Sequence, residues 1–261
     1  MHNVAAVLAI LVMAGTPVIA QDANDINSRF ENLRAYSRFG NDYLSVHPND
    51  LFLAIPFGGT GDKVPGKARS KFEKGNQFLL KDQFDKAKQQ YEAALAEYPD
   101  YASAHLNLGV TELNLKDVAH ARQEFQTACK LNPQLPNAYQ NLGLLEILQQ
   151  DYAAAEPPLR DANRLDPKDL KTLTLLAYAE ALNKKYEEAI LTARRVHDFK
   201  EHTPAYAYAH MIAATALESS DKRADAIKEY KQFLIEAPND PRANIARKEL
   251  EQLESIAPAK Q

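Results

Sequence analysis

The sequence repeats itself every 34 residues, and that period limits the possible folds more than any other feature. Gly75, Gly109 and Gly143 stand 34 apart, and Ala177 takes the next place in the series. Ala87, Ala121, Ala155 and Ala189 form a second series, Ala94, Ala128 and Ala162 a third, and Pro99, Pro133 and Pro167 a fourth. Large residues recur too, with Phe78 in the first half of a unit and Tyr91, Phe125 and Leu159 in the second. A unit this short cannot bury its own apolar face, so such units stack and share a continuous core. Each unit reads as a pair of antiparallel helices, A and B. Small residues such as Gly109 and Ala121 let the two approach closely, and large ones such as Phe125 fill the space between neighbouring pairs. A proline just past helix B stops it, because the ring cannot continue the hydrogen-bond ladder. The A/B turns are expected near Lys81-Asp82, Lys116-Asp117, Gln150-Asp151 and Lys184-Lys185.

These residues closely resemble the tetratricopeptide repeat family. Residues 102–135 carry Asn107-Leu108-Gly109, Ala121, Phe125, Ala128, Leu131 and Pro133 at the family's positions. Residues 136–169 carry Tyr139, Asn141-Leu142-Gly143, Asp151-Tyr152, Ala155 and Asp166-Pro167. Further units fall at 68–101 and 170–203. A fifth, 207–240, keeps Ala214, Leu217, Ala226, Tyr230 and Pro238 after an insertion of Pro204-Ala205-Tyr206. From Asp240-Pro241 a last helix over 241–256 places Ala243, Ala246, Leu250 and Leu253 on one stripe, as a solvating cap would. The expected fold is all-α, a right-handed α-solenoid of five helix pairs with a C-terminal capping helix. It occupies residues 67–257 and follows a short irregular N-terminal segment. Two departures stand out. Pro157-Pro158 lie inside the third helix B, where lost donors are expected to kink or loosen it, and the fourth unit lacks its closing proline.

The N-terminus reads as an export signal. The apolar run Val4–Gly15 suits the core of a secretory signal and is short of the ~20 residues of a membrane span. Val18 and Ala20 sit where signal peptidase reads small residues, which predicts cleavage before Gln21 and a mature chain in the periplasm or outside the cell, with no membrane span left. Residues 21–66 form a linker or lead, with an amphipathic stretch at Ile26, Phe30 and Leu33 and a short strand at Leu51–Ile55. Gly61–Ala68 matches G-x-x-x-x-G-K, but Ala68 stands where a phosphate loop places Ser or Thr, and Pro65 removes a backbone donor. No nucleotide is assigned.

Composition narrows the chemistry. A net charge of −4 argues against a nucleic-acid surface. The single cysteine, Cys129, forms no internal disulfide or Cys-rich zinc site and is expected to be a small buried core residue. No nucleophile elbow or H-E-x-x-H motif occurs, so the reading is non-catalytic, with no catalytic residue, cofactor or metal ligand assigned.

The resemblance implies a concave groove lined by helix A that takes a peptide or protein segment. Carried over position by position, it comprises Phe72, Asn76 and Leu79 from the first unit and Leu106, Asn107, Val110 and Asn114 from the second. The third supplies Asn137, Gln140, Asn141, Leu144 and Ile147, and the fourth Thr174 and Tyr178. Amides offer donors and acceptors to an extended backbone. Family members that clamp a C-terminal carboxylate use basic residues where this chain has Phe72, Asn137 and Asn141, so an internal segment is the better fit. The alternative is metal binding by His197, His202 and His210, with Asp198 and Glu201 between the first two. No two of these histidines share a helical i, i+3 or i, i+4 spacing.

Overall fold

A computed structural model describes residues 64–199, 206–240 and 242–255. Among these residues it is all-helical. Five antiparallel pairs follow one another: α1 (Gly66–Leu79) with α2 (Phe84–Glu97), α3 (Ala102–Asn114) with α4 (Val118–Leu131), and α5 (Pro136–Leu148) with α6 (Tyr152–Leu165). Then come α7 (Leu170–Leu182) with α8 (Tyr186–Arg195), which runs on into a 3₁₀ turn at Val196–Asp198, and α9 (Tyr208–Ser219) with α10 (Arg223–Glu236). A single helix, α11 (Ala243–Ser255), packs against α10 and closes the stack. The export signal, the cleavage point and the strand over 51–55 lie outside the described residues. Of the phosphate-loop-like stretch, Gly66, Lys67 and Ala68 open α1.

The glycine series exists because each glycine meets a large side chain of its own helix B. A Cβ built on Gly75 would lie 2.6 Å from Tyr91, one on Gly109 2.7 Å from Phe125, and one on Gly143 2.4 Å from Leu159. The two series are therefore halves of one contact, a gap in helix A filled from helix B. In the fourth pair the same places hold Ala177 and Ala193, both fully buried, so a methyl group replaces the gap where the opposing side chain is small.

The turns share one backbone solution. Asp82, Lys116, Gln150, Lys184 and Asp221 all have positive φ, between 56° and 68°. In each, the following amide reaches back to the carbonyl five residues earlier, as in Asp117 N–H to Glu112 and Asp151 N–H to Glu146. This closure satisfies carbonyls that the helix end would otherwise strand. Asp117 and Asp151 then cap the next helix through His120 N–H and Ala154 N–H.

Successive pairs are tied by buried carboxylates on helix A. Lys88 reaches Glu112 at 3.1 Å, Arg122 makes a two-pronged pair with Glu146 at 2.7 and 2.8 Å, and Arg160 reaches Glu180 at 2.8 Å. Glu156 stands where Lys88 and Arg122 stand in earlier units. It accepts from Lys185 at 2.8 Å and from Asn183, which offsets the reversed charge. α6 continues unbroken through Pro157 and Pro158, the same length as α4, so the prolines do not end it. One hydrophobic core runs from Ala68 to Leu253.

Candidate functional site

Each helix named A (α1, α3, α5, α7 and α9) contacts its own helix B, all but α1 also contact the helix B before them, and α7 touches α5 and α9 as well. This packing explains where the predicted groove residues sit. Phe72, Leu79, Leu106, Val110, Leu144, Ile147 and Tyr178 are buried, as are Asn107, Gln140, Asn141 and Thr174. Asn76, Asn114 and Asn137 are half-exposed. The apolar part of the predicted lining is thus enclosed as the helices stand. The part that meets solvent is amide.

Several of these amides are already engaged. Asn76 Oδ1 accepts from the Tyr91 phenol and from Asn107 Nδ2, each at 2.7 Å, so one oxygen joins the first two units. Gln140 donates to Thr172 Oγ1 and Asp169 and binds the third unit to the fourth. Asn114 donates to the Val110 carbonyl, and Thr174 to the Leu170 carbonyl. The bonds of Asn76 and Gln140 hold A helices in register, and all four fix which faces of these side chains remain open.

A second group lies at the junction of the fourth and fifth pairs. His197, on the 3₁₀ turn, stacks on His210 of α9 with ring centroids 3.8 Å apart and planes 13° from parallel. His210 Nδ1 lies 2.7 Å from Glu229 Oε2 of α10, and Glu229 in turn accepts from Arg194 at 2.9 Å. His210 Nε2 faces Glu236 Oε1 at 3.3 Å, and Gln232 donates to that same oxygen. Burial pushes the Glu229 carboxyl up, but bonds from His210 and Arg194 outweigh it and hold the group below its ordinary range. Glu236 is likewise low despite burial, through Gln232 and the two imidazoles. One ligand atom from each of His197, His210 and Glu236 lies within 4.8 Å of the others. Asp198 is exposed and outside this group, while His202 and Glu201 lie outside the described residues.

Tertiary packing therefore brings together two histidines whose sequence spacing gave no such indication. Glu229 and Glu236 belong to no repeating series, since the fourth unit has Thr192 and Phe199 at their places even when the insertion is allowed for. By contrast, Glu112, Glu146 and Glu180 are spaced 34 apart, as are Lys88 and Arg122, so that ladder was readable and overlooked. Cys129 is buried, as expected, and burial pushes its thiol up to about 12, where it stays protonated and unreactive at neutral pH.

Among known proteins, the sequence profile described as tetratricopeptide repeat matches residues 72–136. No curated protein sequence matches. The fold is similar to several solved structures. YrrB, described as a TPR protein with an unusual peptide-binding site, superposes with a TM-score of 0.62 at 19% identity, over 69% of this chain and 92% of its own. MamA from Desulfovibrio magneticus RS-1 gives 0.58 at 18% identity, over 74% and 99%. PilF of Pseudomonas aeruginosa gives 0.59 at 19% identity, over 72% and 84%. No helix among the described residues is long and apolar enough to cross a membrane.

Proposed function

We propose that this tetratricopeptide-repeat protein is a non-catalytic scaffold that holds an extended peptide or protein segment along the face formed by α1, α3, α5 and α7. The observation that carries this is the row of half-exposed amides, Asn76, Asn114 and Asn137, on successive A helices held in register by their buried neighbours. Such a row can exchange hydrogen bonds with a peptide backbone without fixed charge. The likeness to YrrB, with its peptide-binding site, supports the same use of the fold. Export is part of the proposal. The apolar run Val4–Gly15, followed by small residues at Val18 and Ala20, leads to a mature chain starting at Gln21, working in the periplasm or outside the cell on an envelope partner, with no nucleic acid or nucleotide involved.

The test is capture from envelope extract by the immobilised mature chain, followed by identification and titration of the captured segment. Asn114→Ala with Asn137→Ala is expected to weaken binding at least tenfold, about 1.4 kcal/mol. Because amide pairing and apolar burial carry little charge, affinity should change less than tenfold between low and high salt. A steeper loss places the site elsewhere. N-terminal sequencing of the native protein checks the cleavage point, and full-length chain in the cytosol would overturn export.

A further inference from the structure

The junction of the fourth and fifth pairs has a donor set that the peptide-binding reading does not use. Two imidazoles and a carboxylate converge there from three separate segments: His197 from the 3₁₀ turn, His210 from α9 and Glu236 from α10, each offering an atom within 4.8 Å of the others. We propose that His197, His210 and Glu236 bind a divalent cation of the zinc class, with Glu229 and Arg194 orienting His210 from behind.

The contacts of His210 show which nitrogen faces the site. His210 Nδ1 lies 2.7 Å from Glu229, which also accepts from Arg194, so that side of the ring is already engaged. Its Nε2 lies on the other side of the ring, 3.3 Å from Glu236 Oε1. An added proton would satisfy that pair alone, whereas a cation also uses the second imidazole stacked alongside at 3.8 Å. A carboxylate behind the ring is the arrangement that fixes the tautomer and raises the basicity of a metal-bound histidine. Two histidines and one glutamate make a three-ligand zinc set with one position left for water.

The distances allow closure. Ligand atoms around a tetrahedral ion with bonds of about 2.0–2.1 Å are roughly 3.4 Å apart. His210 Nε2 and Glu236 Oε1 already meet that separation, and His197, with an atom within 4.8 Å of them, would have to turn its ring about a soft terminal torsion to join them. Filled, the site would fasten the turn after α8 to both helices of the fifth pair. That is where the 34-residue period is broken by Pro204-Ala205-Tyr206. Ion binding would thus brace the junction at which the repeat register is broken.

The experiment uses the full mature chain stripped with a chelator, titrated with Zn²⁺ against a chromogenic competitor. One equivalent is expected to bind and to raise the thermal midpoint as zinc concentration rises. His197→Gln and Glu236→Gln should each weaken binding at least tenfold, with far-UV circular dichroism verifying that both variants are folded. His120→Gln, an exposed histidine paired with Asp117, should leave affinity unchanged. Zinc should also shift the imidazole ¹⁵N resonances of His197 and His210 together. No binding by the unmodified chain, binding undiminished in both variants, or a doubly protonated His210 that zinc leaves unmoved would each overturn the proposal.

Discussion

The first three pairs and the junction that follows solve the same packing problem with different chemistry. In residues 66–165 two contacts recur with the period, one within each pair and one between pairs. A glycine accepts Tyr91, Phe125 or Leu159, and Lys88 and Arg122 each pair with a glutamate on the next helix A. Beyond α6 these devices run out. Glu156 replaces the base, Ala177 and Ala193 replace the gap and its filler, and Leu217 stands at the place of Glu180 in the fifth unit. There the polar contacts gather into one cluster, Arg194, Glu229, His210, His197 and Glu236. A repeat interface can thus keep its geometry while its chemistry passes from local pairs to a single tertiary site.

The contrast breaks most visibly at the large fillers. Phe125→Ala should cost about 3–5 kcal/mol in urea denaturation, because a fully buried ring leaves a cavity. Ala193→Gly, at the equivalent place in the fourth pair, should cost only about 1 kcal/mol, the helix propensity of glycine. Gly143→Ala should cost about 1–3 kcal/mol, since its new methyl would lie 2.4 Å from Leu159. Combined with Leu159→Ala it should cost less than the two added, because one change vacates the space the other needs. Additive losses would show that the glycine is there for some other reason.

Acid and base should loosen the two regions in opposite directions. At the junction Glu229 and Glu236 lie below the ordinary glutamate value of 4.5, so their contribution is present above that pH and is lost as pH falls through the folded values. Glu112 in the regular half lies above 4.5 because of burial, so protonation relieves it as pH falls. His105 sits in the second unit between Glu124 at 2.5 Å and the Pro99 carbonyl at 2.8 Å. Burial lowers its pKa, but these partners outweigh it and raise the group above 6.5. Its contribution is therefore complete below 6.5 and is lost as pH rises through the folded value. Site-resolved hydrogen exchange should show α9 and α10 opening first below pH 4.5, and α3 and α4 losing protection on the alkaline side. The same order of opening at both ends would contradict the assignment.

The sequence was legible where structure is periodic and opaque where it is not. Four residue series located the first four helix pairs, because each series records one contact made repeatedly, and the fifth followed once the insertion was allowed for. The same reasoning placed Leu106, Val110 and Leu144 along a groove by position, yet burial depends on every neighbour of helix A, and no single unit encodes those neighbours. His197 and His210 are 13 residues apart, and Glu236 lies 26 beyond His210. Their meeting depends on how α8, α9 and α10 pack around an insertion, which no spacing rule carries.

The smallest effect tests what the two regions share. All five A/B turns place a side chain at positive φ, at Asp82, Lys116, Gln150, Lys184 and Asp221. An L-residue pays roughly 1–2 kcal/mol for that conformation, and glycine adopts it freely while losing some entropy of the unfolded chain. Gln150→Gly should therefore stabilise the protein by about 0.5–1 kcal/mol, provided the side chain makes no compensating contact. Gln150 is exposed and Asp151 does the capping, so nothing offsets the gain. Asp221→Gly should yield a similar gain, because Lys222 N–H reaches the Leu217 carbonyl as Asp151 N–H reaches Glu146. Equal gains, read as shifts in denaturation midpoint, would show that the insertion changed the interface chemistry and left the turn untouched. A gain at Gln150 with a loss at Asp221 would instead mean that the aspartate does further work at the irregular end of the stack.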